Sequence, residues 1–211
     1  MKTLAIIGAG ELGRQIAHLA LSDKHYEAIV FIDDFQTAKS INGIPVIGRV
    51  VDVEGLYRSK AFDALIIGIG YKHLNVKQEL YAQFKDIIPF GTIIHSSCWV
   101  DKTATIAPGC VLYPSSVIDA RVNIKANTLI NLHCTISHDS TIGAHCFLAP
   151  RVAVAGFVTI DQTSNIGINA TIIDGISLAS KTQIGAGAVV INSIEKAGLF
   201  VGNPARNVRY F

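Results

Sequence analysis

Two patterns of hydrophobic and polar positions follow one another along the chain. In the first 90 residues, short apolar runs alternate with segments whose apolar residues recur at helical spacing. The apolar runs read KTLAIIG, AIVFIDD, NGIPVIG and DALIIGIG, and the helical segments read ELGRQIAHLALS and YKHLNVKQELYAQF. This alternation predicts βαβ units, which build a small parallel sheet covered by helices.

From residue 91 the spacing of apolar residues changes to a period of six. Seventeen consecutive positions six apart, from Ile94 to Val190, carry Ile, Leu or Val, and a second, mostly small residue follows four places after each. An unbroken six-residue period predicts a hexapeptide β-helix, in which three faces make one coil of 18 residues. Each aliphatic side chain then stacks on the one 18 positions away, about 4.8 Å along the axis.

The change of pattern predicts two domains. Residues 1–90 are expected to form a small Rossmann-like α/β domain, and residues 91–211 an all-β parallel β-helix with a C-terminal tail. The two ends of a β-helix expose strand edges that invite pairing and need a cover. The first domain can cap one end, and the tail EKAGLFVGNPARNVRYF can fold over the other or dock on a neighbour.

Composition narrows the class of protein. The chain has 211 residues, of which 50% are hydrophobic and 16% charged, so a substantial core is expected rather than disorder. The formal net charge is +2 without a basic or acidic block, which gives no lead toward nucleic acid or an anionic membrane. The N-terminus runs straight into a strand pattern, and no uncharged apolar run reaches membrane-spanning length. We therefore predict a soluble, cytosolic (cytoplasmic) protein with reduced thiols.

The four cysteines all lie on the six-residue grid, four places after an aliphatic position, and are predicted to face the core. Pairs of them differ by 36 residues, or two coils, which places their Cα atoms about 9–10 Å apart, too far for a disulfide. These residues are Cys98, Cys110, Cys134 and Cys146.

Three histidines in the stretch LINLHCTISHDSTIGAHCFLAP, namely His133, His138 and His145, fall off the inward grid and nearer the corners. The five-residue spacing of His133 and His138 resembles the metal-binding histidines of γ-class carbonic anhydrases. A third ligand is lacking, because Ser97 occupies the matching position and zinc normally takes three protein ligands. No metal is predicted, and a metal-dependent hydratase is kept as an alternative.

The segment GAGELG spaces three glycines between a strand and a helix, and two aspartates end the second strand. Alone, this is a dinucleotide fingerprint, with a tight turn and a helix N-terminus that attracts phosphate. About 90 residues are too few for a full dinucleotide site, but half a site suits a nucleotide-linked sugar. NAD binding is the alternative. The residues predicted for this site are Gly8, Gly10, Gly13, Asp33, Asp34, Gly68 and Gly70.

The six-residue repeat, the ending VGNPAR and the GAGELG domain together resemble one enzyme family. This is the group of sialic acid O-acetyltransferases and bacillosamine-type nucleotide-sugar N-acetyltransferases, and the resemblance covers essentially the whole chain. It implies a left-handed β-helix, a homotrimer, a nucleotide-sugar-binding first domain and acetyl-CoA as co-substrate in the groove between two β-helices. The implied reaction transfers acetyl to an amino or hydroxyl group of a sugar for surface glycans.

Within that reaction, His138 and Asp139 are the predicted base and its orienting carboxylate. Imidazole titrates near neutral pH, and a neighbouring carboxylate can hold one ring nitrogen protonated while the other accepts the proton. Adjacent side chains converge only at a corner, which is where this register places them. An exposed turn histidine beside a solvated aspartate is the alternative. Gly156 lies 18 residues later, one coil above His138, and the resemblance makes its amide the donor to the thioester carbonyl.

The resemblance also assigns coenzyme contacts to Ile168, Ala186 and Gly187. Arg206 is a candidate phosphate partner or a solvated tail arginine. Leu12 and Phe147 stand where the family often has histidines, so the acceptor sugar and the placement of the thioester can differ here. A nucleotide-sugar-binding scaffold without catalysis is the non-enzyme alternative.

Overall fold

The computed structural model describes residues 2–211, which form two compact units with their boundary between Ile93 and Ile94. The first unit is an α/β domain in which buried strands alternate with helices. Its elements are β1 (Thr3–Ile7), α1 (Glu11–Ser22), β2 (Ala28–Ile32), β3 (Ser40–Ile41), β4 (Ile44–Gly48), α2 (Val53–Arg58), β5 (Ala64–Ile67) and α3 (Leu74–Phe84), with 3-10 turns at Val50–Asp52 and Tyr71–His73.

The sheet of the first unit has the order β3-β4-β2-β1-β5. Strands β4, β2, β1 and β5 are parallel, as predicted, and β3 is an antiparallel edge strand paired with β4. The two-residue β3 and the six-residue α2 were not predicted, because elements this short carry too few periodic positions. The carboxyl ends of β1, β2 and β5 meet at one edge, where Gly8 N donates to Ile32 O at 2.8 Å and Gly68 N to Ile7 O at 2.8 Å.

The second unit is the predicted β-helix, built almost entirely from two-residue strands. They are β6 (Ile93–Ile94), β7 (Trp99–Val100), β8 (Thr105–Ile106), β9 (Val111–Leu112), β10 (Val117–Ile118), β11 (Asn123–Ile124), β12 (Leu129–Ile130), β13 (Thr135–Ile136), β14 (Thr141–Ile142), β15 (Phe147–Leu148), β16 (Ala153–Val154), β17 (Thr159–Ile160), β18 (Asn165–Ile166), β19 (Thr171–Ile172), β20 (Ser177–Leu178), β21 (Gln183–Ile184) and β22 (Val189–Val190). Each strand pairs in parallel with the strand 18 residues away, as Ile136 does with Val154.

These strands form three sheets. The first sheet holds β7, β10, β13, β16, β19 and β22, the second holds β8, β11, β14, β17 and β20, and the third holds β6, β9, β12, β15, β18 and β21. The aliphatic residue of each strand points inward and is almost fully buried from Leu112 onward. The six-residue period therefore predicted the core of this unit correctly.

The chain turns between sheets through residues of positive φ, which recur every six positions from Gly109 to Gly187. These corner residues stack in three edges, because most corner amides donate to a carbonyl one coil earlier, as Asp139 N does to Ala120 O at 3.0 Å, while Arg121 N donates to Thr103 Oγ1 at 2.8 Å. The first edge, between the first and second sheets, carries Arg121, Asp139, Phe157 and Gly175; the second edge, between the second and third sheets, carries Asn127, His145, Thr163 and Lys181; the third edge, between the third and first sheets, carries His133, Arg151, Asn169 and Gly187.

Some of the small residues that lie four places after an aliphatic position donate side-chain hydrogen bonds to backbone carbonyls of the β-helix. Ser140 Oγ donates to Ala155 O at 2.9 Å, and Thr128 Oγ1 donates to Gly143 O at 2.8 Å. The four cysteines are free; three are fully buried and Cys98 is half-buried. Burial raises the pKa of the Cys134 thiol to about 11, so this side chain behaves as a small apolar residue at neutral pH.

The C-terminal tail adds two strands to the third sheet. Strand β23 (Gly198–Val201) pairs in parallel with β21, and β24 (Arg206–Tyr210) turns back antiparallel to β23. Phe200 and Ala205 pack against the β-helix core. The tail thus folds over its own end of the solenoid, which was one of the two expectations. No helix within residues 2–211 has the length and apolar character needed to cross a membrane.

Candidate active site

The first edge of the β-helix brings His138 and Asp139 together. The flanking Ile136 and Ser140 are buried and inward-facing, whereas Asp139 takes a left-handed backbone conformation with φ +59°. This turn lets two adjacent side chains converge, and His138 Nδ1 lies 2.9 Å from Asp139 Oδ2. An ionised carboxylate only accepts hydrogen bonds, so Nδ1 is the donor and Nε2 is the basic nitrogen of the neutral ring.

Arg121, one coil before Asp139 on the same edge, grips the same carboxylate. Its Nε donates to Asp139 Oδ1 at 2.6 Å, and its Nη2 donates to Oδ2 at 2.8 Å, which is a bidentate pair. The hydrogen bonds from Arg121 and then from His138 hold the pKa of Asp139 well below its usual range. Sequence reasoning missed Arg121. A signal for it was present, since Arg121 lies 18 residues before Asp139 just as Gly156 lies 18 residues after His138.

Gly156 lies directly against the His138 ring from the next coil. A Cβ at position 156 would stand 2.8 Å from His138 Cε1 and 3.0 Å from Nε2, so only glycine fits there. The next residue, Phe157, places its ring 5.2 Å from the imidazole, edge to face at 86°. Phe157 is 62% exposed, which is unusual for a large aromatic, and it was not predicted as a site residue. Imidazole, open glycine backbone and exposed aromatic ring thus share one surface.

The residues assigned to the coenzyme lie elsewhere in the same chain. Ile168, Ala186 and Gly187 are on the third edge, where Gly187 N donates to Ile168 O at 2.8 Å. The first and third edges flank the two sides of the first sheet, so one chain does not bring these residues onto the edge of His138. Arg206, in β24, is exposed and donates to Ala205 O at 3.2 Å.

The three histidines of this region lie on three different edges. His133, on the third edge, lines an open cavity of about 450 Å³ with Arg151 and Ala153. His145, on the second edge, is buried, and its Nδ1 lies 3.0 Å from Asn127 Nδ2. They therefore do not converge, and no group of three His, Cys, Asp or Glu side chains within residues 2–211 is placed to hold a metal ion. Phe147, buried in β15, belongs to the third sheet, away from the first edge.

In the first unit, the predicted glycines differ in what holds them in place. Gly8 has φ +102°, and a Cβ on Gly13 would stand 1.8 Å from Gly8 O. A Cβ on Gly68 would stand 2.8 Å from Gly13 Cα, so these three allow β1, α1 and β5 to approach closely. Gly10 is the N-cap of α1 and Gly70 the N-cap of a 3-10 turn, and both have open space around the missing Cβ. Packing therefore does not require glycine at Gly10 or Gly70, and both leave open space beside their backbone.

The two aspartates order the loops at the same sheet edge. Asp33 Oδ2 accepts the amide of Ala9 at 2.7 Å, and its Oδ1 accepts that of Phe35 at 2.8 Å. Asp34 Oδ1 accepts the amide of Val50 at 2.8 Å. A cleft of about 510 Å³ opens beside them, and Phe35, which is 94% exposed, lies at it. Leu12, half-buried in α1, supplies no polar group near this edge. The cleft is lined by Ile7, Gly8, Asp33, Asp34, Phe35, Val50, Ile69, His73, Val76 and Leu80.

Both units of the chain are similar to known proteins. Residues 3–84 match the PglD N-terminal domain family. The acetyltransferase domain of PglB from Neisseria gonorrhoeae FA1090 is 29% identical, with a TM-score of 0.91 over 99% of this chain and 100% of that one. The same domain has been solved in complex with acetyl coenzyme A (28% identity, TM-score 0.90, 98% and 99% covered).

PerB from Caulobacter crescentus, solved with CoA and GDP-perosamine, is 25% identical with a TM-score of 0.89, over 98% of this chain and 97% of that one. A comparison with curated proteins found no match. The resemblance to hexapeptide-repeat nucleotide-sugar acetyltransferases is thereby confirmed, as is the left-handed β-helix. The chain is an acyltransferase in which residues 3–84, which match the PglD N-terminal domain, precede a left-handed β-helix.

Proposed function

We propose that the protein transfers acetyl from acetyl-CoA to a nucleotide-linked sugar, with an amino group as the first acceptor to test and a hydroxyl as the second. The observation that carries the proposal is the first edge, where His138 is held by Asp139 and lies against Gly156. The similar structures that hold acetyl-CoA, or CoA with GDP-perosamine, support the substrate classes.

In the proposed reaction, the acceptor amine or hydroxyl attacks the thioester carbonyl while His138 Nε2 takes its proton. The tetrahedral oxyanion then collapses, the C–S bond breaks, and the imidazolium returns the proton to the departing thiolate, which leaves as free CoA thiol. No covalent enzyme intermediate forms. Asp139 keeps the donor hydrogen on Nδ1 throughout, so the ring cannot turn its basic nitrogen away.

Gly156 supports this scheme as the donor to the oxyanion. The amides on either side of it are used, since Ala155 N donates to Ile172 O at 3.0 Å and Phe157 N donates to His138 O at 3.1 Å. Within residues 2–211, no backbone hydrogen bond is found for Gly156 N. A fixed, unspent N–H beside the base favours the charge that develops on the carbonyl oxygen.

A homotrimer would assemble the whole site. The outward side chains of the first sheet include four apolar residues, whereas those of the second sheet are all Thr, Asn or Ser, so the first sheet is the better suited of the two to contact with identical copies. If three copies turn this sheet toward a common axis, the first edge of one copy lies beside the third edge of the next. His138 and Gly156 of one copy then share a groove with Ile168, Ala186 and Gly187 of another. The outward residues are Trp99, Val117, Thr135, Ala153, Thr171 and Val189.

The PglD N-terminal domain, residues 3–84, is the proposed site for the nucleotide part of the acceptor. The open backbone at Gly10 and the first-turn amides of α1 suit a diphosphate, because the N-terminus of a helix favours negative charge. The apolar cleft beside Asp34 and Phe35 offers room for a nucleoside. For Asp33, Gly68 and Gly70 we propose only that they shape this edge of the sheet.

The test is release of free CoA thiol from acetyl-CoA with a panel of nucleotide sugars that carry amino or hydroxyl acceptors. Thiol release that depends on one acceptor, together with a product heavier by one acetyl group, supports the proposal. Saturable binding of a nucleotide sugar without any thiol release would overturn it in favour of a binding scaffold. Mass spectrometry of the product separates N- from O-acetylation.

A further inference from the structure

We propose that Arg121 is a positioning residue for the acetyl transfer, which fixes the carboxylate of Asp139 and offsets its charge beside His138. This inference rests on the proposed function, since it concerns the same base. Arg121 itself lies two coils away from Gly156 and Phe157, on the far side of Asp139, so it acts through the carboxylate and not on the substrate.

The geometry gives Arg121 a specific grip. Both oxygens of Asp139 accept from the guanidinium, at 2.6 Å and 2.8 Å, and the oxygen bonded by Nη2 is also the one that accepts from His138 Nδ1 at 2.9 Å. A planar fork fixes the plane of the carboxylate, which a single hydrogen bond cannot do. The imidazole plane is therefore set by three hydrogen bonds to one carboxylate.

The charge of Arg121 has a second effect. A lone carboxylate beside a histidine favours the imidazolium form, which cannot act as a base. Arg121 offsets this negative charge, so the Arg121–Asp139 pair is closer to neutral beside the ring than Asp139 alone would be. An aspartate without the arginine would present its full negative charge to the imidazole and would lack the fork that fixes its plane.

The remaining charges on this edge are weaker influences. Asp119 and Asp101 act on Arg121 through space, and Asp101 is itself occupied by Thr103, whose hydroxyl donates to it at 2.6 Å. Lys102 lies on the same edge one coil further from His138 and is exposed. Asp174 lies on the coil above Gly156. Among these groups, Arg121 alone bonds the Asp139 carboxylate.

The experiment is the pH dependence of acetyl transfer for wild type, Arg121→Gln and Arg121→Lys, with Lys102→Gln as the matched control that removes one positive charge from the same edge. For Arg121→Gln we expect kcat to fall about tenfold at neutral pH and the acid limb of the pH–rate profile to move up by about half a pH unit to one unit, since solvent screens an arginine that is 61% exposed. At high pH, activity should recover only to the level of Arg121→Lys, because both variants lack the fork.

Arg121→Lys keeps the charge and loses the fork. Its acid limb should stay in place while kcat falls several-fold at every pH. Lys102→Gln should change neither quantity. A merely structural role would lower the melting temperature and leave the limb where it is, so an unmoved limb in Arg121→Gln overturns the proposal. If the wild type shows no transfer, or His138→Ala retains it, the proposed function fails instead, which keeps the two outcomes distinct.

Discussion

The imidazole of His138 lies against Gly156, so that a methyl group at position 156 would stand 2.8 Å from the ring carbon Cε1. The two residues are 18 apart in sequence and one coil apart in space. The clash would fall on the imidazole ring, including Nε2 at 3.0 Å, so the ring would have to move to relieve it. The position of the proposed base therefore depends on the absence of a side chain at residue 156.

Gly156→Ala should therefore displace the ring of His138 and lower kcat by about 10²-fold, the scale on which loss of an aligned base or oxyanion donor acts. The fold should survive, because His138 is 46% exposed and can swing outward. Steady-state kinetics and melting temperature measure the two effects. The control is Gly175→Asn, one coil above, where φ is +68° and no atom lies within 4 Å of an added Cβ. Equal loss in both variants would contradict the argument.

His138→Ala should lower kcat by about 10²–10⁴-fold with little change in melting temperature, because it deletes the proton acceptor and leaves the inward stack intact. Asp139→Asn should cost less, since it misorients the base without removing it. His133→Ala, on another edge, is the control and should be mild. His145 is buried, so its replacement would test packing and not catalysis. Near-wild-type turnover of His138→Ala would refute its role as base.

Oligomeric state tests the arrangement proposed for the coenzyme groove. We expect light scattering to show a trimer at micromolar concentration. Ala153→Glu should dissociate it and abolish activity, because the charge would be buried in an uncharged contact between copies. Thr159→Glu places the same charge at the equivalent exposed position of the second sheet and should leave the trimer intact. A monomeric wild type would exclude the arrangement.

The glycines of the first unit make contrasting predictions. Gly13→Ala should lower the stability of this unit by at least about 1–3 kcal/mol, the usual cost of overpacking, because the new Cβ would overlap Gly8 O. Gly10→Ala has free space and should melt like wild type. If diphosphate approaches the start of α1, Gly10→Ala should nevertheless raise KM for the nucleotide sugar several-fold. An unchanged KM would place the diphosphate elsewhere.

Thiol titration tests the core. Denatured, non-reduced protein should yield all four thiols. In the native protein, burial raises the pKa of Cys134 to about 11, so little of its reactive thiolate is present at neutral pH. Cys134 should therefore react slowly at neutral pH, and its rate should rise only under strongly alkaline conditions. Half-buried Cys98 should react first. Fewer than four thiols after denaturation would mean that a disulfide forms.

Much of this structure could be predicted because the core residues of the β-helix recur at a fixed spacing in the sequence. The six-residue period predicted the strands, the inward stack and the corner at His138, and addition of 18 located Gly156. The same step backward from Asp139 reaches Arg121, which was overlooked because the step of 18 was applied only forward, from His138. Periodicity also places Ile168 and His138 on different edges, because a separation of 30 is not a multiple of 18, but it could not indicate which edges share a groove, since that depends on how copies assemble.

The edge that carries Arg121, Asp139 and Phe157 also constrains how genes for such proteins can change length. Losing one residue between positions 122 and 137 would break the 18-residue step from Arg121 to Asp139, and the aliphatic row after the loss would no longer stack on the row before it. Losing a full coil of 18 that contains none of the site residues would keep these alignments and only shorten the groove. Insertions and deletions in this part of the gene should therefore persist only in whole coils, as a reading frame tolerates only whole codons.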